Sequence, residues 1–76
     1  MAVIASAQNT VFTPAVGPFV IQVSGGNADL LRRVSATAAW VNVAANFTSI
    51  NVDNPIAGVQ FMVTSNRPLA VVEADQ

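Results

Sequence analysis

Apolar and polar positions alternate with a period of two along much of this chain, and Gly, Pro, Asn and Asp interrupt the alternation at short intervals. That is the pattern of β-strands, whose successive side chains point to opposite faces of a sheet. The clearest run is residues 19–24, with Phe19, Ile21 and Val23 on one face and Val20, Gln22 and Ser24 on the other. Val59, Phe61 and Val63 alternate in the same way with Gln60, Met62 and Thr64. Residues 28–35, 39–45 and 49–53 read as three strands between these two. In the second of them Trp40, Asn42 and Ala44 oppose Val41, Val43 and Ala45, and in the third Ile50 and Val52 share a face. Residues 2–7 form a short apolar run, and residues 11–13 a fragment stopped by Pro14 and by Gly17-Pro18. Residues 69–74 read as the last strand, and the polar end Glu73-Ala74-Asp75-Gln76 is expected to fray.

The punctuation is equally informative. Ser24-Gly25-Gly26-Asn27 carries two glycines that tolerate the positive φ of tight turns, so a hairpin is expected there, with residues 28–35 as its return strand. Ala36-Thr37 is a candidate bend, and Asp53-Asn54-Pro55 and Ser65-Asn66-Arg67-Pro68 are turns. No segment sustains a helical face. About six to seven strands at a spacing of roughly 8–12 residues predict an all-β protein, a small antiparallel β-sandwich or barrel. Residues 1–76 form a single domain in this reading, with residues 1–13 as an assembly arm or edge strand.

Composition turns this from a fold into a functional expectation. Only 9% of the 76 residues are charged, 53% are hydrophobic, and the net charge is −1. Soluble domains carry about 25% charged residues. A domain this small buries only about 60% of the surface its unfolded chain exposes, and supplements such a core with disulfides, metals or oligomerisation. Cys and His are absent, which leaves oligomerisation. Large apolar areas on a surface usually mark interfaces. A monomer covered by Ser, Thr, Asn and Gln is the alternative.

Several partner classes drop out. Lysine is absent, and three arginines are too few to neutralise a run of phosphates, so nucleic acid is not expected. No stretch approaches the 18 or more apolar residues of a membrane span, and Met1-Ala2-Val3-Ile4-Ala5-Ser6 lacks the basic region of a secretory signal. Synthesis in a cytoplasm is the expectation.

Catalysis is not expected either. His, Cys, Lys and Tyr, the usual proton-transfer groups beside carboxylates, are all missing. Asp29, Asp53, Glu73 and Asp75 lie far apart in sequence, and a hydrolytic carboxylate pair must converge in a cleft. Gly25-Gly26 has neither a lysine nor a following helix to make a phosphate cradle, and Asp53-Asn54 offers one carboxylate where a cation loop gathers several. Asn46-Phe47-Thr48 matches the short glycosylation pattern, with no signal peptide to support it. No cofactor and no metal are expected.

The candidate contact residues are Val3, Ile4, Phe12, Arg32, Arg33 and Trp40. Residues 2–7 are apolar and carry no charge to guard a sheet edge, so they offer amides for another chain to pair with. Arg32 and Arg33 are neighbours on a strand and must point to opposite faces. One of them meets the core side or a partner, with Asp29, Asp53 or Glu73 of the same or a neighbouring chain as acceptors; the alternative is two arginines at a ragged sheet edge. Trp40, the only tryptophan, either anchors the core between two sheets or faces a partner.

Phe19-Val20-Ile21-Gln22-Val23-Ser24-Gly25-Gly26, Ala28-Asp29-Leu30-Leu31-Arg32-Arg33, Ala39-Trp40-Val41-Asn42-Val43 and Pro55-Ile56-Ala57-Gly58-Val59-Gln60-Phe61 occur in that order. Over residues 19–63 this resembles the small β-sandwich proteins of tailed bacteriophage virions. The resemblance implies a capsid decoration, cement or fibre-base subunit, a homo-oligomer with a trimer favoured, seated on the major capsid protein of the virion. The lack of a separate receptor-binding head or long shaft favours the cementing role. Such proteins work through surfaces, so no functional residue carries over. The competing expectation is a tail or fibre-associated β module that anchors a fibre or binds host surface glycan, with Trp40 or an Asn-rich loop lining a shallow site. A small hydrolase is the third class and has no residue pattern behind it.

Overall fold

A computed structural model describes residues 2–76. Among the described residues seven strands form two antiparallel sheets, with no helix: β1 (Val3–Ala5), β2 (Gly17–Ser24), β3 (Ala28–Arg33), β4 (Val41–Phe47), β5 (Ser49–Asn54), β6 (Gln60–Ser65) and β7 (Val71–Asp75). Sheet A has the order β1-β7-β2-β5 and sheet B the order β4-β3-β6. This is the expected small β-sandwich.

The core lies between the sheets and is built by alternation. Phe19, Ile21 and Val23 of β2 face Phe61 and Val63 of β6 and Leu30 of β3, with Val72 and Ala74 of β7 beside them, all buried. Ile50 and Val52 of β5 and Ala44 and Phe47 of β4 pack against this cluster from one side and stay half-buried. Phe12, Phe19 and Phe61 form an aromatic knot. Phe19 meets Phe12 and Phe61 edge-on at centroid distances of 5.9 and 5.2 Å, and Phe12 stacks on Phe61 at 6.0 Å.

Three expectations fail here, each for a physical reason. The Gly25-Gly26 turn exists, with Gly25 at φ 87°, but it makes no hairpin: β2 belongs to sheet A and β3 to sheet B. The turn carries the chain across the core instead. The hairpin in this region is β3–β4, joined by residues 34–40. The polar end does not fray, because Glu73 and Asp75 are the outward residues of β7, an interior strand paired with both β1 and β2. Gln76 continues the ladder, exchanging two backbone hydrogen bonds of 2.9 Å with Ala2. Asn54, expected in a turn, is fully buried at the end of β5. Its side-chain N–H donates to the carbonyls of Pro14 and Ala15 at 3.1 and 3.3 Å, tying down the segment that leads into β2.

Candidate functional site

The two sides of the sandwich differ in how their edges end. On one side stand β1 and β6, and the chain between β1 and β2 runs along the outer edge of β6 and closes it. Phe12 exchanges two backbone hydrogen bonds of 2.9 Å with Phe61, and the Asn9 N–H donates to the Val63 carbonyl at 2.7 Å. Gln8 completes the strap: its Nε2 donates to the carbonyls of Arg67 and Pro68, and its Oε1 accepts from the Ser65 N–H. The strap drops the Phe12 side chain into the aromatic knot.

On the other side stand β4 and β5, the remaining edges of the two sheets, and no strand pairs with either outer edge among the described residues. They are joined through Thr48 alone. One residue spans far less than the roughly 10 Å between stacked sheets, so the sheets converge at this corner. Asn46, at φ 57°, takes the left-handed conformation that the bend needs, and its N–H is held by the Asp29 carboxylate at 3.0 Å.

β4 itself is irregular. Its register against β3 shifts twice, between the pairs Ala28–Phe47, Leu30–Ala44 and Leu31–Asn42. Extra residues of this kind bend a strand and break its alternation. The result is a strand exposed on both faces for most of its length, with Val41 and Val43 57% and 40% exposed. The expected apolar face of Val41 and Val43 is therefore not a core face. The strand carries no charged residue, and Lys, the common guard of free edges, is absent from the chain.

The residues singled out from the sequence do not converge on one site. Val3 is exposed and Ile4 half-buried on β1, which is an edge as expected, but it has three residues and an irregular register against β7. A short, bulged edge is a poor template for another strand. Phe12 belongs to the core, 7% exposed, and is not an interface residue, because the strap turns it inward. Arg32 and Arg33 do point to opposite faces, and they lie on β3, the central strand of sheet B, not at a ragged edge. Arg33 on the outer face donates from Nε to Gln60 Oε1 at 2.7 Å, and its guanidinium carbon lies 4.3 Å from the centroid of the Trp40 ring. This cation–π contact accounts for Trp40, which is half-buried on the outer face and is not the core anchor of a sandwich. Arg32 is exposed beside Val41, at the β4 end of the open side.

Two hollows lie elsewhere. One, of about 310 Å³, is lined by Asn27, Asp29, Asn46, Thr64, Ser65 and Asn66, across the start of β3 and the ends of β4 and β6 in sheet B. It holds amides and hydroxyls but no aromatic. The other, of about 440 Å³, opens on the outer face of sheet A beside Val20, Asn51 and Asp75. Each contains one carboxylate. Among the structurally decisive residues, Gln8 was passed over in the sequence, Asn54 was read as a turn residue, and Asn46 was weighed only as part of a glycosylation pattern. The only trace of them was their polar character inside or beside apolar runs.

What the arrangement offers chemically is a pair of unfinished strand edges over half-buried Ala44, Phe47, Ile50 and Val52. Comparison with protein-family models, curated proteins and solved structures finds no match to this chain.

Proposed function

We propose that this chain is a non-enzymatic structural subunit, a virion decoration or cement protein that self-associates and binds neighbouring shell proteins. The observation that carries the adhesive part is the β4–β5 flank, which presents free backbone donors and acceptors and exposed Val41 and Val43 with no charge on β4. A strand from a neighbouring chain adds to such an edge through main-chain hydrogen bonds, and apolar contacts across the corner supply energy at about 25 cal/mol per Å² removed from water, less the cost of association. Many such contacts per particle multiply a modest affinity. The virion setting, the major capsid protein as partner and the trimer rest on the resemblance of residues 19–63. The non-enzymatic reading is supported by the missing His, Cys, Lys and Tyr and by the single carboxylate in each hollow.

A glycan-binding tail module has less behind it. The polar hollow supplies hydrogen-bonding groups, but Trp40 stacks on Arg33 outside it and does not line it. The test is a mass measurement by light scattering on the purified chain, followed by binding to virion shells that lack it. Binding to shells that Val43→Lys abolishes supports the reading; a stable monomer that ignores shells overturns it.

A further inference from the structure

The few charges of this chain are segregated. Asp53, Glu73 and Asp75, three of its four carboxylates, are outward residues of β5 and β7 and share the outer face of sheet A. Glu73 and Asp75 are neighbours on one face of β7, about 7 Å apart and within the screening length of roughly 8–10 Å, and Asp53 lies across β2 on the same face, which therefore carries only negative charges. No arginine lies on that face: Arg32 and Arg33 are on β3, and Arg67 is in the turn between β6 and β7.

The acidic face also contains the 440 Å³ hollow. Asn51, Val20 and Asp75 are register partners on β5, β2 and β7, and they form one row across its floor, with Pro18 beside them. Oδ1 of Asp75 is buried and has no hydrogen-bond partner among the described residues. Oδ1 itself is closed to an incoming group, so a donor from outside meets the part of this half-buried carboxylate that lines the hollow, and a cationic donor meets a carboxylate best. An apolar wall, an amide and one carboxylate match a guanidinium on its aliphatic stem better than a strongly hydrated ammonium.

A tip of that chemistry stands at the other end of the same molecule. Arg67-Pro68-Leu69 forms the β6–β7 turn, next to the β2–β3 turn, whereas the hollow lies toward the start of β2 and the end of β7. Leu69 is 92% exposed, the most exposed large apolar side chain among the described residues. The Arg67 stem lies beside Gly26, where an added Cβ would come within 2.7 Å of its Cγ, and Arg67 itself is exposed. Tip and hollow on opposite ends cannot meet within one chain.

We propose that the hollow on the acidic face of sheet A receives the Arg67–Leu69 tip of a second copy of this chain, with Arg67 paired to Asp75 and Leu69 against the apolar wall. The contact is heterologous, head to tail, and such contacts close into rings when the rotation per subunit allows it. It deepens the self-association in the reading above, rests on that part of it, and does not involve the open β4–β5 flank.

The experiment follows the mass of the full chain by light scattering across micromolar to millimolar concentration, with circular dichroism confirming that each variant folds. The wild type assembles. Asp75→Arg and Arg67→Asp each weaken assembly by about tenfold or more, as does Leu69→Ser, whose side chain is too exposed to matter for folding. Mixing the Asp75→Arg and Arg67→Asp chains is the decisive step. One supplies an intact tip and the other an intact hollow, and the two reversed groups complement each other, so the mixture regains the assembly that each variant alone has lost. Arg32→Asp leaves assembly unchanged. Single variants that assemble like the wild type, a mixture that stays monomeric, or a wild type that stays monomeric throughout overturns the proposal. The flank is read separately: Val43→Lys abolishes shell binding and leaves head-to-tail assembly intact, so either idea can fail while the other stands.

Discussion

The β1–β6 side and the β4–β5 side of this sandwich face the same physical problem, two sheet edges whose backbone groups need partners. The first side resolves it within the chain. Gln8, Asn9 and Phe12 bond along β6, and β1 is too short and irregular to be a template. The second side leaves both edges free, over valines that the core does not use. The closed side shows that this sequence can finish an edge with hydrogen bonds from three residues and one buried ring. The open side differs: Ala44, Phe47, Ile50 and Val52 pack inward on the core, while Val41 and Val43 and the outer edges of β4 and β5 meet no partner among the described residues.

That contrast can be broken by substitution, and the largest effect belongs to the closed side. Phe61→Ala removes the ring at the centre of the aromatic knot and is expected to cost about 3–5 kcal/mol. Domains have only about 5–15 kcal/mol in total, and a small one sits low in that range, so urea titration should find much of the variant unfolded. A small loss would mean that the knot does not hold the closed side together. Asn54→Ala takes the donor from the Pro14 and Ala15 carbonyls in a buried site, at about 1–3 kcal/mol. Thermal unfolding measures it, and a neutral result would detach the β2 entry segment from the fold's stability.

Gln8→Ala should lose about 1 kcal/mol and speed hydrogen exchange at the Ser65 amide, which Gln8 caps. Unchanged exchange would show that the strap does not seal the β6 edge. The smallest effect on stability is expected on the open side. Val43→Lys should change unfolding free energy by no more than about 0.5 kcal/mol while it removes binding to a partner strand. A destabilisation comparable to that of Asn54→Ala would make the flank part of the core and end the comparison.

Much of the strand content was legible in the chain. The inner faces of β2 and of the run leading through β6 were readable because Phe19, Ile21 and Val23, then Val59, Phe61 and Val63, recur at every second position without interruption. Phe12 was not readable as core, since it sits in a three-residue fragment between Thr10 and Pro14 and owes its burial to bonds with a residue about fifty positions away. Val41 and Val43 misled for the opposite reason: their alternation is clean, but two register shifts against β3 turn the strand out of the core. Gly25-Gly26 signals a reversal of direction, and a reversal looks the same in sequence whether it makes a hairpin or crosses to the other sheet.

By itself the sequence determined that the protein is all-β, where most strands lie, and that only 9% of its residues are charged. Those properties are local or additive, and a chain states them residue by residue. Which edges stay open, where the acidic face gathers, and that Arg67 and Asp75 stand at opposite ends were decided by the tertiary structure alone. Each of these depends on strand order. Strand order follows from pairings between distant segments, which no pattern along the chain records.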